Sequence, residues 1–152
     1  MTTSVASLTT PHRFDDRNIG WRELGDFKHF VVSIFAVDEE ENVADFIVKF
    51  AANEQIFLHR HLALTHTFVI DGEHILYEPD GKVREVRPVG RFTASPGGDA
   101  HREGGGANGC VVLYSVRGKT DALFDVLDDD LRVVATLHTG DFKAAFDAQK
   151  QA

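Results

Sequence analysis

The stretch Asn53-Glu54-Gln55-Ile56-Phe57-Leu58-His59-Arg60-His61-Leu62-Ala63-Leu64-Thr65-His66-Thr67-Phe68-Val69-Ile70-Asp71-Gly72 carries three histidines within eight positions. Its spacing is N-x5-H-x-H-x4-H-x5-G. On a β-strand, residues i and i+2 point the same way, so His59 and His61 would project side by side. Two imidazoles so placed form one edge of a metal site, and a third ligand from another strand would complete a facial triad. The pair alone is weak, because two histidines on a strand face are more often satisfied by hydrogen bonds or solvent. A second stretch strengthens it. Gly90-Arg91-Phe92-Thr93-Ala94-Ser95-Pro96-Gly97-Gly98-Asp99-Ala100-His101 has the spacing G-x5-P-x-G-x2-H.

Around these stretches the dominant pattern is short β-runs broken by turn residues. Phe30–Val37 is rich in β-branched and aromatic residues and ends in the acidic run Asp38–Asn42. In Ala44–Phe50, Phe46, Val48 and Phe50 alternate with Asp45 and Lys49, the mark of a half-buried strand. Asp71-Gly72 and Asp80-Gly81 each separate two β-runs and predict two-residue hairpins. Asp128-Asp129-Asp130 reads as a solvated turn. The count comes to about ten to twelve strands at the spacing of an antiparallel sandwich or barrel. Helical periodicity is convincing only near the end, where Thr139 is a candidate cap for a helix carrying Phe142 and Phe146.

Composition bounds the function classes. The 152 residues carry 16 Lys+Arg against 24 Asp+Glu, a formal net charge of −8. That balance, with no basic cluster, argues against nucleic acid as a partner. A hydrophobic share of 43% with 12 phenylalanines excludes a disordered polymer. The single cysteine, Cys110, excludes an internal disulfide framework and reads as a small buried hydrophobe. No run approaches the length needed to span a bilayer, so no membrane partner is expected. Met1 to Pro11 is Ser/Thr-rich with neither a basic start nor an apolar core, which predicts a disordered leader followed by one domain over 12–152. A reducing cytoplasm is the expected compartment.

Together the two histidine stretches resemble the two sequence motifs of the cupin superfamily (RmlC-like proteins). The resemblance implies an all-β fold: a double-stranded β-helix, or jelly-roll, barrel, here followed by a short C-terminal helix. It also implies that His59, His61 and His101 converge on one metal ion inside the barrel. An acidic fourth ligand is common between the first histidine pair and its closing glycine. His66 stands at that place here and is the candidate fourth ligand, with a hydrogen-bonding role in the pocket wall as its plainer alternative. Asn53 replaces the usual opening glycine, and no asparagine follows His101 at the usual distance. The missing acid resembles the three-histidine cupins that include acetylacetone-cleaving dioxygenase.

From that resemblance follows an expected Fe(II) centre, with Zn or Ni as alternatives, since imidazole suits all of them. Neutral imidazoles leave a divalent ion fully cationic, so the expected partner is a small anionic or chelating organic ligand. Oxidative cleavage of a carbon–carbon bond in a β-dicarbonyl or enolate is the implied reaction. A non-catalytic metal or ligand sensor, or a metal-dependent isomerase or hydrolase, carries the same motifs. Phe46, Phe57, Phe68 and Phe92 are candidates to line an apolar pocket beside the ion, the simpler expectation being barrel core. Arg102 and Glu103 adjoin a ligand and are placed to tune it. His12, His29, His74 and His138 read as surface or capping residues. A homodimer is expected, with Trp21–Leu24 as a strand that could cross between copies.

Overall fold

A computed structural model describes residues 8–150, so most of the expected leader lies outside the described residues. The chain opens into a hairpin of β1 (Phe30–Asp38) and β2 (Val43–Phe50), paired from Phe30↔Phe50 to Asp38↔Val43. The acidic run makes the turn, with Asn42 in the left-handed region at φ 56°. The expected alternation in β2 holds: Phe46, Val48 and Phe50 are buried, while Asp45 and Lys49 stay partly exposed. Preceding this hairpin, Arg22 forms an isolated bridge to Val32 of the same chain.

Then come β3 (His59–His61), β4 (Leu64–Tyr77), β5 (Val83–Pro88), β6 (Phe92–Ser95), β7 (Ala100–Arg117), β8 (Ala122–Leu127) and β9 (Val133–His138). All pairings between these strands are antiparallel. The 18-residue β7 spans the architecture, pairing with β2 and β4 in one sheet and with β3 in the other. The second sheet continues through β8 to the edge strand β9. Nine strands among the described residues fall short of the sequence count, and the reason is local. Asp71-Gly72, expected as a hairpin, lies inside the 14-residue β4. Gly72, at φ 72°, serves a register shift against β7 instead of a turn, so two expected strands are one bent strand. Asp80-Gly81 does make the β4–β5 turn, closed by Glu78 N–H donating to the Lys82 carbonyl (2.8 Å).

Inside the barrel the aromatic rings stack. Phe46 lies flat against Tyr114 (centroids 5.1 Å, 7°) and against Phe142 (5.2 Å, 28°), with Phe124 edge-on at 6.4 Å. Each ring buried here contributes roughly 1.5–3 kcal/mol relative to leaving it in water. Phe142 belongs to α1 (Thr139–Gln149), which closes this end of the barrel. The cap of α1 is His138 rather than Thr139: the Asp141 carboxylate accepts the His138 backbone N–H (2.8 Å). At its far end the Gln149 amide pairs with both backbone groups of Ile34 (2.8 and 2.9 Å), fastening the helix to β1 next to its bulge. No helix among the described residues is long and apolar enough to cross a membrane.

Candidate metal centre

His59 and His61 lie on β3, His101 and Glu103 on β7, and His59 is the cross-strand partner of His101. Each pair is spaced i, i+2, so all four side chains share the barrel's inner face. All four are buried, and one ligand atom from each lies within 4.8 Å of all the others. Oε2 of Glu103 stands 2.7 Å from His59 Nε2 and 3.5 Å from both His61 Nε2 and His101 Nε2. His59 Nε2 and His61 Nε2 are 3.2 Å apart.

The outer ring nitrogens settle what these inner atoms carry. His59 Nδ1–H donates to the Phe57 carbonyl (3.0 Å), and His101 Nδ1–H to the Asp99 carbonyl (3.3 Å). His61 Nδ1–H donates to Thr65 Oγ1 (3.0 Å), whose own proton goes to the Ala63 carbonyl (3.1 Å). A carbonyl only accepts, so in the neutral rings Nε2 is the lone-pair atom. Three lone pairs and a carboxylate oxygen therefore face one another in a buried space. Acceptors packed this way repel unless a proton or a cation sits among them, and the donor set N3O suits a first-row divalent ion. These residues can hold such an ion.

Burial sets the charge states. It pushes the His61 pKa down to about 4, outweighing the pull of Glu103, so this ring is neutral at pH 7. Burial works against the charge on Glu103 too. The imidazoles around it nevertheless hold its carboxyl well below the usual range: His101, His59 and His61 donate to it whenever a proton rather than an ion sits on an inner nitrogen, and His74 donates to it from behind. His101 is raised: burial opposes its protonation, but the bond and charge of Glu103, aided by Asp99, prevail. A bound ion must displace a proton from His101 when that ring is charged. Metal affinity is therefore expected to rise with pH up to that raised pKa, about tenfold per unit for one proton, and to flatten above it. Chelator competition between about pH 5 and pH 8, the range over which histidine titrates, checks this; a flat profile refutes it.

Beside the group lies an apolar cavity of about 60 Å³, walled by Leu24, Phe46, Phe57, Phe124, Leu137 and Phe142, with His59, His61 and Glu103 at its polar end. On the other side is a smaller polar recess of about 30 Å³ bearing Thr67, Thr93 and Arg87. Arg87 donates to both hydroxyls there (3.4 and 3.2 Å).

No protein-family model matches the sequence, and no curated protein matches it. Solved structures do. An RmlC-like cupin protein from Ralstonia eutropha superposes with TM-score 0.74 at 12% identity, over 97% of this chain and 92% of that one. The chain has a cupin fold. Two further cupin neighbours are an acetylacetone dioxygenase from Acinetobacter johnsonii and a putative one from Methylibium petroleiphilum. The first gives TM-score 0.70 at 13% identity over 97% of this chain and 95% of the other. The second gives 0.69 at 13% over 96% and 99%.

Within this cupin barrel the structure brings His59, His61 and His101 together but leaves His66 out. Thr65 and Thr67 face inward on β4, and alternation turns the residue between them to the other face, where the His66 ring meets Phe92 edge-on (5.4 Å). Glu103 occupies the fourth place. Its signal was in the sequence: His101-x-Glu103 repeats the i, i+2 spacing of His59-x-His61. The pocket expectation divides by the same parity. Phe46 and Phe57 line the cavity. Phe68 and Phe92 do not; they are cross-strand partners on the outer face, 41% and 56% exposed. His74, read as a surface or capping residue, is fully buried and donates to Glu103.

Proposed function

We propose that this cupin is a non-haem Fe(II) dioxygenase that cleaves a carbon–carbon bond in a small chelating β-dicarbonyl or enolate. The observation that carries the reading is the buried His59-His61-His101-Glu103 group at the polar end of an apolar cavity. Two neighbours of the same fold that bear the name acetylacetone dioxygenase support it. Bound at these residues, Fe(II) would supply Lewis acidity and redox chemistry toward dioxygen. The chain's own part is to bind, orient and keep water out.

Charge selects the ligand class. A divalent ion with one ionised carboxylate and three neutral imidazoles carries one net positive charge. The cavity walls are aromatic and aliphatic and cannot solvate a leftover charge. A monoanion such as an enolate neutralises the group, so it is favoured over a neutral diketone or a dianion. Phe46, Phe57 and Phe124 would hold the substrate's apolar ends while its two oxygens face the histidines. By atom balance, a β-diketone plus one dioxygen gives a carboxylic acid and a 2-oxoaldehyde.

The test is oxygen uptake. Protein loaded anaerobically with Fe(II) is expected to consume about one dioxygen per acetylacetone, and protein loaded with Zn(II) none, because that ion has no redox chemistry. Turnover of the diketone at the same rate without oxygen would reassign the site to hydrolysis. Absence of uptake across a range of β-dicarbonyls would end the dioxygenase reading.

A further inference from the structure

Glu103 is gripped from behind. While Oε2 faces the three imidazoles, Oε1 accepts two hydrogen bonds, from His74 Nε2–H (2.7 Å) and from the Tyr114 hydroxyl (2.6 Å). Both donors are buried, and they come from different strands, His74 from β4 and Tyr114 from β7. Each is held in place by packing. The His74 ring stacks on Phe50 (5.6 Å, 21°), and Tyr114 lies flat against Phe46. Tyr114 also lines the apolar cavity, on the same side as Phe46.

His74 also bears a cost. Its Nδ1 is buried with no hydrogen-bond partner. A buried polar atom without a partner is destabilising, and a phenylalanine or leucine in this place would avoid that. Packing alone therefore does not account for a histidine here, whereas the bond to Oε1 does. With its lone pair at Nδ1, the ring is the tautomer that donates from Nε2.

We propose that His74 and Tyr114 are positioning residues that saturate one oxygen of Glu103, so that only Oε2 is offered to an ion held by His59, His61 and His101. This rests on the metal-binding reading above. A carboxylate free to rotate can bind through both oxygens and take up an extra coordination position. Clamped at Oε1 it supplies one donor, and four protein donors then leave a six-coordinate ion two positions for an incoming chelate. The clamp also relates the ligand set to the barrel wall, because it joins β4 to β7 at the centre.

The experiment measures metal affinity by chelator competition with Zn(II), and the visible absorption of the Co(II)-loaded protein, for Tyr114→Phe, His74→Leu and His74→Gln. Partners that orient a metal ligand typically contribute 10–100-fold in affinity. Tyr114→Phe and His74→Leu are each expected to lose about that much and to shift the Co(II) bands. His74→Gln, whose amide can place a donor near the same point, is expected to recover most of both. Should His74→Leu fail to fold, Tyr114→Phe decides alone, since it deletes one oxygen and no volume. Wild-type affinity and an unchanged Co(II) spectrum in Tyr114→Phe overturn the proposal. So does a loss in His74→Leu that glutamine leaves unrepaired. If His101→Ala loses the metal while these variants keep it, this inference falls and the metal-binding reading stands. If the wild-type chain takes up no ion, both fall.

Discussion

Elemental analysis of the purified wild-type protein is expected to find about one first-row metal ion per chain, and His101→Ala is expected to lose most of it. Outer-shell partners alone contribute 10–100-fold in affinity, so loss of a direct donor should exceed roughly 100-fold. The geometry makes His101 a severe choice. It is the only imidazole that β7 contributes, and it closes the cluster opposite the β3 pair. Removing it also takes away an imidazole that, when protonated, helps keep Glu103 ionised in a buried place. The remaining two imidazoles and a carboxylate would still attract an ion, but they span only part of the group. Stoichiometric metal in His101→Ala would show that the ligand set is wrong.

The second large effect is structural. Gly72→Val is expected to cost about 3 kcal/mol or more, enough to unfold a marginal domain. Two costs coincide at this residue. Its φ is 72°, which a β-branched side chain adopts only under strain, and a Cβ there would fall onto the Gly109 carbonyl of β7. Gly109 is itself at φ 71°, so the crossing of β4 and β7 depends on two glycines that approach each other without side chains. Gly140→Ala is the matched control. That glycine lies in α1 with open space around it, so alanine should be neutral or stabilise by up to about 1 kcal/mol. Urea denaturation of both variants checks the pair. A Gly72→Val protein within about 1 kcal/mol of wild type would mean the strands can separate at little cost, contrary to the close approach described.

What could be read from the sequence follows from what is local. Strand alternation over Ala44–Phe50, the turn at Asp80-Gly81 and the facing of His59 with His61 depend on residues a few positions apart, and periodicity reports them directly. Motif spacing extended this to His101, more than forty positions from His59, because the second motif carries its own recognisable pattern. Long-range register was not legible in the same way. On β4 the odd residues Thr65, Thr67 and Val69 face inward before the register shifts and the even residues His74 and Leu76 after them; that parity excluded His66 and Phe68, and with Phe68 its cross-strand partner Phe92 on β6. Glu103 was visible as a neighbour of His101, yet its role needed the knowledge that β7 is one continuous strand through this point. His74 was hidden for the same reason: an Asp-Gly pair that signals a turn was spent on a bulge, which carried the next residues inward.

With only three residues, β3 has little backbone of its own to hold it, yet it sits between β7 and β8 with His59 opposite His101 and His61 opposite Phe124. Displacement by a single step would turn both imidazoles outward and thrust the Arg60 guanidinium among the phenylalanines of the cavity, an unpaired charge in an oily interior. Mis-threaded chains are thus penalised by the same side chains that make the pocket useful. Fidelity of barrel closure is written into the alternation of three letters, His-Arg-His.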